Sequence, residues 1–341
     1  MSIATKSYLF GVMMLLTSAV VAQTETTTET SSSAMDICLS RLVLQASPET
    51  QVSELRDRCN RHMAEGDISS DLEDQDVGSM ALRDAVQIAS SNTPFIMSGH
   101  RANYLLPFAY IKNPNNAPFL GSPEDGTLDN SEVHFQISVK APIKEDVILD
   151  GDSFWVGYTM RAFWQAYNPD VSRPFRETNH EPELIWETQS GLSWLGFDNV
   201  FNQVSLNHQS NGRSESFSRS WNRIIFNSAW ERKKMSLVAS YWERLKEDPV
   251  DDENPRIETY VGNVQLMASY AFDMDHRATL MIRGNPAKGK GATELTWSFP
   301  LFGTKKIRGM AKYFDGYGEN LLDYNVRTRS IGLGFMVTDG Y

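Results

Sequence analysis

The stretch Glu132-Val133-His134-Phe135-Gln136-Ile137-Ser138-Val139-Lys140-Ala141 alternates polar and apolar side chains without a break. A period of two belongs to a half-covered β-strand, because successive side chains leave opposite faces; a helix would need a period of 3.6. The same texture recurs at Tyr104–Ile111, Phe154–Gln165, Glu183–Glu187, Phe197–His208, Trp221–Trp230 and Met235–Trp242. It continues at Tyr260–Phe272, Arg277–Arg283, Thr293–Phe299, Ile307–Phe314 and Thr328–Val337. That makes twelve strands, an even number, with links that are alternately short and polar-long. Asp273-Met274-Asp275 is a short link; 112–131 and 168–179 are long ones. An even count with short turns at one end and long loops at the other predicts an all-β fold, a twelve-stranded antiparallel transmembrane barrel. A soluble β-sandwich is the competing fold.

Composition separates these folds poorly. The chain of 341 residues is 41% hydrophobic and 22% charged, which suits a soluble protein or a barrel with an apolar outside and a polar lumen. Eight Trp, 12 Tyr and 17 Phe supply interfacial girdles, and every Trp lies between Trp155 and Trp297. No stretch reaches about 18 continuous apolar residues, so no helix is expected to span a bilayer. A net charge of -11 excludes a basic nucleic-acid footprint. Lys6, the apolar run Tyr8–Val21 and the small residues Val20-Val21-Ala22 read as a signal peptide over residues 1–22. Export makes a disulfide between Cys38 and Cys59 plausible; two free thiols are the alternative. Residues 23–92 read as a polar periplasmic extension, with helices over Met35–Leu44 and Val52–Met63 forming a hairpin, and a further short helix over Met80–Ala89. The barrel occupies 93–341, with both termini expected in the periplasm and the long loops outside. The aromatic Tyr341 suits outer-membrane assembly.

Chemistry concentrates in one place. His208 shares strand parity with Val204 and Leu206, and Ser210 shares it with His208. Beyond a polar loop, Asn222 shares parity with Ile224 and Phe226. A base, a hydroxyl nucleophile and an amide able to orient the base therefore fall on the apolar faces of two neighbouring strands. Serine needs a base to take its proton, and the base needs its other ring nitrogen held. A His-x-Ser spacing by itself is a weak signal, but polar groups on a lipid-facing surface are costly and point to function. Arg223 and Asn227 take the opposite parity and read as lumen polar network.

The run His208-Gln209-Ser210-Asn211-Gly212-Arg213-Ser214, followed by Ser218-Arg219-Ser220-Trp221-Asn222-Arg223, resembles the signature of the bacterial outer-membrane phospholipase A family. So do Pro174-Phe175-Arg176-Glu177-Thr178-Asn179-His180-Glu181-Pro182, Asn254-Pro255 and 317–325. The resemblance spans about 93–341. It implies a calcium-dependent hydrolase of phospholipid acyl esters, acting as a homodimer, with its site on the barrel wall at the outer leaflet. Carried over residue by residue, it makes Ser210 the nucleophile, His208 the base, Asn222 the orienting residue and Gly212 N–H an oxyanion donor. It places Ca2+ on the Arg213 carbonyl and the Ser218 hydroxyl, and on the Ser172 carbonyl contributed by a second subunit. Glu215, where aspartate is common, is a further ligand candidate, and the acids Asp251, Asp252 and Glu253 are candidates for a second calcium. Met160 falls where some members carry a glutamine that bonds across the dimer interface. The alternative to an enzyme is a non-catalytic barrel, a porin or a structural protein.

Overall fold

A computed structural model describes residues 42, 52–64, 80, 97–120, 126–173, 175–272, 276–301 and 304–338. The signal peptide, Cys38, the turn 273–275 and Tyr341 lie outside these residues, as does all but Leu42 and Met80 of the helices expected over Met35–Leu44 and Met80–Ala89. The chain divides into two units, Met1–Glu73 and Asp74–Tyr341. In the first, helix α1 (Val52–Ala64) carries Glu54 in its first turn, where a carboxylate favours the positive end of the helix dipole. Leu55 and Cys59, one turn apart, are buried on one face, and Cys59 is disulfide-bonded.

The second unit contains twelve long antiparallel strands: β1 (Asn103–Ile111), β2 (Ser131–Glu145), β3 (Ser153–Trp164), β4 (Glu177–Thr188), β5 (Phe197–Ser210) and β6 (Ser220–Arg232). These are followed by β7 (Met235–Leu245), β8 (Val264–Ala271), β9 (Arg277–Asn285), β10 (Lys290–Leu301), β11 (Thr304–Gly316) and β12 (Thr328–Thr338). Each pairs with the next, and β12 returns to β1 through pairs such as Ile331↔Tyr110 and Leu333↔Phe108, so the sheet closes and keeps no free edge. Two-residue strands at Ser98–Gly99 and Ser193–Trp194 pair with β2 and β5.

The barrel is apolar outside and polar inside. Leu105, Ile137, Val156, Leu184, Leu206 and Phe226 are exposed, as are Ile331, Leu333, Phe335 and Val337 of β12. Gln136, Ser138, Lys140, Glu181, Glu183, Asn207 and Arg223 are buried. Buried charges need partners, and the lumen supplies them. Arg101 bridges Glu181 at 2.7 Å and Glu183 at 3.0 Å, Lys140 meets Glu187 at 3.2 Å, and Lys312 meets Glu294 at 2.9 Å. Such an arrangement suits a chain whose outer solvent is lipid.

Two strands differ from their sequence patterns. β4 begins at Glu177 instead of Glu183: its ladder to β3 runs unbroken back to Phe163↔Glu177, and Pro182, which lacks an N–H, sits in a gap on the β5 side only. The β4–β5 register holds from His180↔Ser210 to Glu183↔Asn207 across that gap. β8 begins at Val264, since Ile257–Tyr260 forms a helical turn, α2, that turns back into the long-loop end. There, Ile257, Val261, Leu321 and Tyr324 pack on Trp221, Ile225 and Trp242 and stopper the barrel. At the short-turn end, Met80 N–H donates to Glu231 Oε1 at 3.1 Å, and Met80 packs among Val200, Phe201, Ala229 and Val238.

The β2–β3 turn is gathered around the Asp152 carboxylate. Asp152 accepts backbone N–H groups from Val147 at 2.7 Å and from Ile148 and Leu149 at 3.0 Å, and the Trp186 indole N–H at 2.8 Å. Withdrawal from water pushes the acid's pKa up, but these donors outweigh it and hold the pKa down at about 2. Its folded pKa lies below the unfolded value of about 3.9. The stability it contributes is therefore complete above that value and lost as pH falls through about 2. Asp152→Ala is expected to lower the urea midpoint of the detergent-folded barrel at pH 7. The gap to wild type should narrow between pH 5 and pH 2; a gap independent of pH would refute this account.

Candidate active site on the barrel wall

Strands β5 and β6 pair in register as His208↔Asn222 and Ser210↔Ser220. Their inward neighbours Asn207 and Arg223 are buried and bonded to each other, with Arg223 Nη2 donating to Asn207 Oδ1 at 2.6 Å. That inward anchoring leaves His208 exposed and Ser210 and Asn222 half-buried on the outer wall, beside Leu206 and Phe226. The His208 and Asn222 side chains meet, with Nδ1 2.8 Å from the amide Oδ1. Because an amide oxygen only accepts, Nδ1 carries the proton in this contact and Nε2 is left as the basic nitrogen. The Ser210 hydroxyl makes no hydrogen bond among the described residues, so the imidazole is oriented by Asn222 while the hydroxyl stays uncommitted. Catalytic hydrogen bonds commonly tighten only with substrate in place.

The loop 211–219 joining these strands is built around Asn211, a signature residue to which the sequence assigns no role. Asn211 is buried. Its backbone N–H donates to Arg219 O at 3.0 Å, its Oδ1 accepts from the N–H groups of Arg213 at 3.3 Å and Arg219 at 3.0 Å, and its amide N–H donates to Phe217 O at 2.8 Å. Asn-mediated turns of this kind leave a fingerprint only in the hydrogen-bond pattern, not in periodicity. Gly212 sits next to it at φ 64°, a left-handed conformation that glycine adopts without a Cβ penalty. A Cβ there would approach no atom nearer than His180 Cδ2 at 3.9 Å, so conformation and not space calls for glycine.

The remaining candidates lie around the same loop. The Arg213 guanidinium donates to Phe175 O at 2.7 Å and Arg176 O at 2.9 Å, tying the loop to the chain entering β4. Glu215 is exposed on a short 3₁₀ turn at φ 54°. Arg219 caps the carbonyls of Ser216 at 3.0 Å and Ser218 at 2.5 Å, and the Ser218 hydroxyl makes no hydrogen bond among the described residues. Ser172 O accepts the Trp164 indole N–H at 3.0 Å, which leaves one carbonyl lone pair uncommitted by that bond. Asp251, Asp252 and Glu253 lie in the following long loop; Asp252 is engaged by Arg244 at 2.7 Å. Among the described residues, no group of three His, Cys, Asp or Glu side chains converges as a metal cluster. Two side chains to which the sequence assigns no part in the triad also adjoin the site. His180 of β4 stands directly opposite Ser210 and bonds the Tyr158 hydroxyl through Nδ1 at 2.6 Å. Glu247 accepts from the Asn222 amide at 3.1 Å.

Comparison with known proteins identifies the family. A family model described as Phospholipase A1 matches residues 81–337. The chain is 36% identical to a putative phospholipase A1 of Neisseria meningitidis serogroup B over 70% of its own length and 65% of that protein's. It is 30% identical to the phospholipase A1 of Escherichia coli K12, over 75% of its own length and 86% of that protein's. The solved outer membrane phospholipase A from Escherichia coli superposes with a TM-score of 0.68 at 30% identity, covering 73% of this chain and 94% of that one. An active-site mutant of the E. coli protein, with an asparagine changed to alanine, gives a TM-score of 0.71 at 29% identity, over 77% of this chain and 99% of that one. The Salmonella typhi outer membrane phospholipase, a dimer with bound calcium, gives 0.68 at 29% identity, over 73% and 94%. With the same closed twelve-stranded barrel, this chain belongs to the phospholipase A1 family.

Proposed function

We propose that this protein is a serine-type, calcium-dependent phospholipase of the bacterial outer membrane that hydrolyses acyl esters of phospholipids, of the A1/A2 and lysophospholipase type. The observation that carries the reading is the His208 Nδ1···Asn222 Oδ1 contact of 2.8 Å on the outward, apolar wall, in register beside Ser210. A nucleophile there meets acyl esters of the bilayer without leaving the lipid. The active-site asparagine of the E. coli relative supports the same role for Asn222. Ion pairs among the lumen side chains argue against an open porin.

In this reading His208 Nε2 takes the Ser210 proton as Oγ attacks the ester carbonyl, and Asn222 holds the imidazole and its tautomer through Nδ1. The Gly212 N–H is the oxyanion donor. His208 then returns the proton to the departing lysophospholipid oxygen, and water hydrolyses the acyl-enzyme by the same route. Calcium prefers six to eight oxygen ligands, and the local donor set is all oxygen: the Arg213 carbonyl, the uncommitted Ser218 hydroxyl and the Glu215 carboxylate. When bound there, the ion would supply positive charge toward the oxyanion. One chain offers too few donors to complete the shell, which fits a Ser172 carbonyl contributed by a second copy. The dimer reported for the Salmonella typhi relative supports a homodimer here. We further read residues 1–22 as the signal peptide, 23–92 as a periplasmic extension and 93–341 as the catalytic barrel, with its active site at the outer leaflet.

The test is fatty-acid release from phospholipid in detergent. Release is expected with calcium and should fall at least about a hundredfold with EDTA, given the weight that a single oxyanion stabiliser carries. Chelator-insensitive release would overturn the metal, and absence of release with calcium present would overturn the enzyme reading.

A further inference from the structure

Both ends of the Asn222 amide are used. Its oxygen receives the His208 Nδ1 proton, and its nitrogen donates to Glu247 Oε1 at 3.1 Å. Glu247 is not adjacent to the triad in sequence; it comes from the long loop after β7, and the pairing Asn222↔Leu245 brings that loop's root beside the amide. Its side chain is 19% exposed, and its other oxygen lies 3.7 Å from the buried guanidinium of Arg244. Arg244 is itself tied to Asp252 Oδ1 at 2.7 Å and to Asn254 O at 3.3 Å. Asn254 Oδ1 in turn accepts the Ser220 N–H at 3.3 Å. The carboxylate is thus held by a loop that is fastened back to β6.

We propose that Glu247 is a positioning residue for the hydrolytic site, locking the Asn222 amide in the orientation that presents its oxygen to His208. This rests on the Ser210–His208–Asn222 reading above. The chemistry leaves one orientation: an ionised carboxylate accepts only, so the amide NH2 must face Glu247 and the oxygen must face the ring. Without that partner the amide has two nearly isosteric orientations, and in the flipped one its NH2 meets the ring nitrogen and favours the wrong tautomer. A charge-assisted hydrogen bond at the margin of a lipid-facing surface is strong enough to decide between them.

The experiment measures kcat and KM for fatty-acid release by the full-length protein in detergent with calcium. Four variants are compared: Glu247→Ala, Glu247→Gln, Asn222→Ala and the double variant Glu247→Ala/Asn222→Ala, with Ser210→Ala as the reference for the reading beneath. Glu247→Ala is expected to lower kcat about tenfold with KM unchanged, since misorienting a catalytic group costs rate rather than binding. Glu247→Gln, whose amide oxygen still accepts from Asn222, should recover to within about threefold of wild type. On the Asn222→Ala background, loss of Glu247 should cost nothing more. The inference is overturned if Glu247→Ala matches wild type, if glutamine falls as far as alanine, or if the two losses multiply. Activity surviving in Ser210→Ala would instead overturn the triad reading itself, so the two failures are separable.

Discussion

Ser210→Ala is expected to remove fatty-acid release by about four orders of magnitude or more while leaving the barrel as stable as wild type. The size follows from the proposed role: a nucleophile has no substitute, and deleting it takes away the covalent route, so that only binding and oxyanion stabilisation remain. The indifference of the fold follows from the geometry. Ser210 is half-buried at the outward end of β5 and its hydroxyl makes no hydrogen bond among the described residues, so alanine strands no partner. Surface changes of this kind usually stay within about 0.5 kcal/mol. Asn222→Ala should cost less, about a hundredfold to a thousandfold, because a neutral amide orients the imidazole but adds no negative charge to stabilise imidazolium. The measurements are initial rates in detergent with calcium, alongside gel mobility before and after heating to report the folded barrel. Release by Ser210→Ala above about one per cent of wild type, with the fold intact, would dispose of Ser210 as nucleophile.

The outward placement of this site was legible from the sequence because a strand has only two faces. Once Leu206 and Phe226 are assigned to lipid, His208 and Asn222 follow by parity, and Asn207 and Arg223 go to the lumen. Parity also survives errors of length: β4 reads as a short segment because Pro182 breaks its pattern, yet its register is unaffected. What parity cannot carry is contact between residues without a shared strand. Glu247 reaches Asn222 through a long loop whose acids all look alike in sequence. Asn211 organises the loop 211–219 through four hydrogen bonds within it that no spacing rule encodes. His180 belongs to the signature but receives no role from sequence for a related reason: it stands across from Ser210, and cross-strand partners are known only once register is known.

Arg176→Met is expected to be the most destabilising single change at the long-loop end, costing about 3–5 kcal/mol, the usual penalty for breaking a buried ion pair from one side. Arg176 is 4% exposed and clamps two acids. Its Nε and Nη2 donate to Glu132 at 2.8 Å each, and its Nη1 donates to Asp323 at 2.8 Å. Burial works against its charge, but Glu132 and Asp323 outweigh that and raise its pKa above the usual arginine value. The contacts join the start of β2, at Glu132, to the loops 165–176 and 317–327, and the backbone carbonyl of Arg176 also holds Arg213 in the candidate site. Methionine keeps the volume but takes from Glu132 and Asp323 the guanidinium they share. Lysine should be intermediate, because a point charge cannot reproduce the two-pronged contact with Glu132. The decisive comparison is Glu132→Gln/Arg176→Met, read as the urea midpoint of the detergent-folded protein. If the penalty is an orphaned carboxylate, the double variant should be more stable than Arg176→Met alone. If it is lost packing against the Phe163 ring, 5.4 Å from the guanidinium, the second substitution should not help.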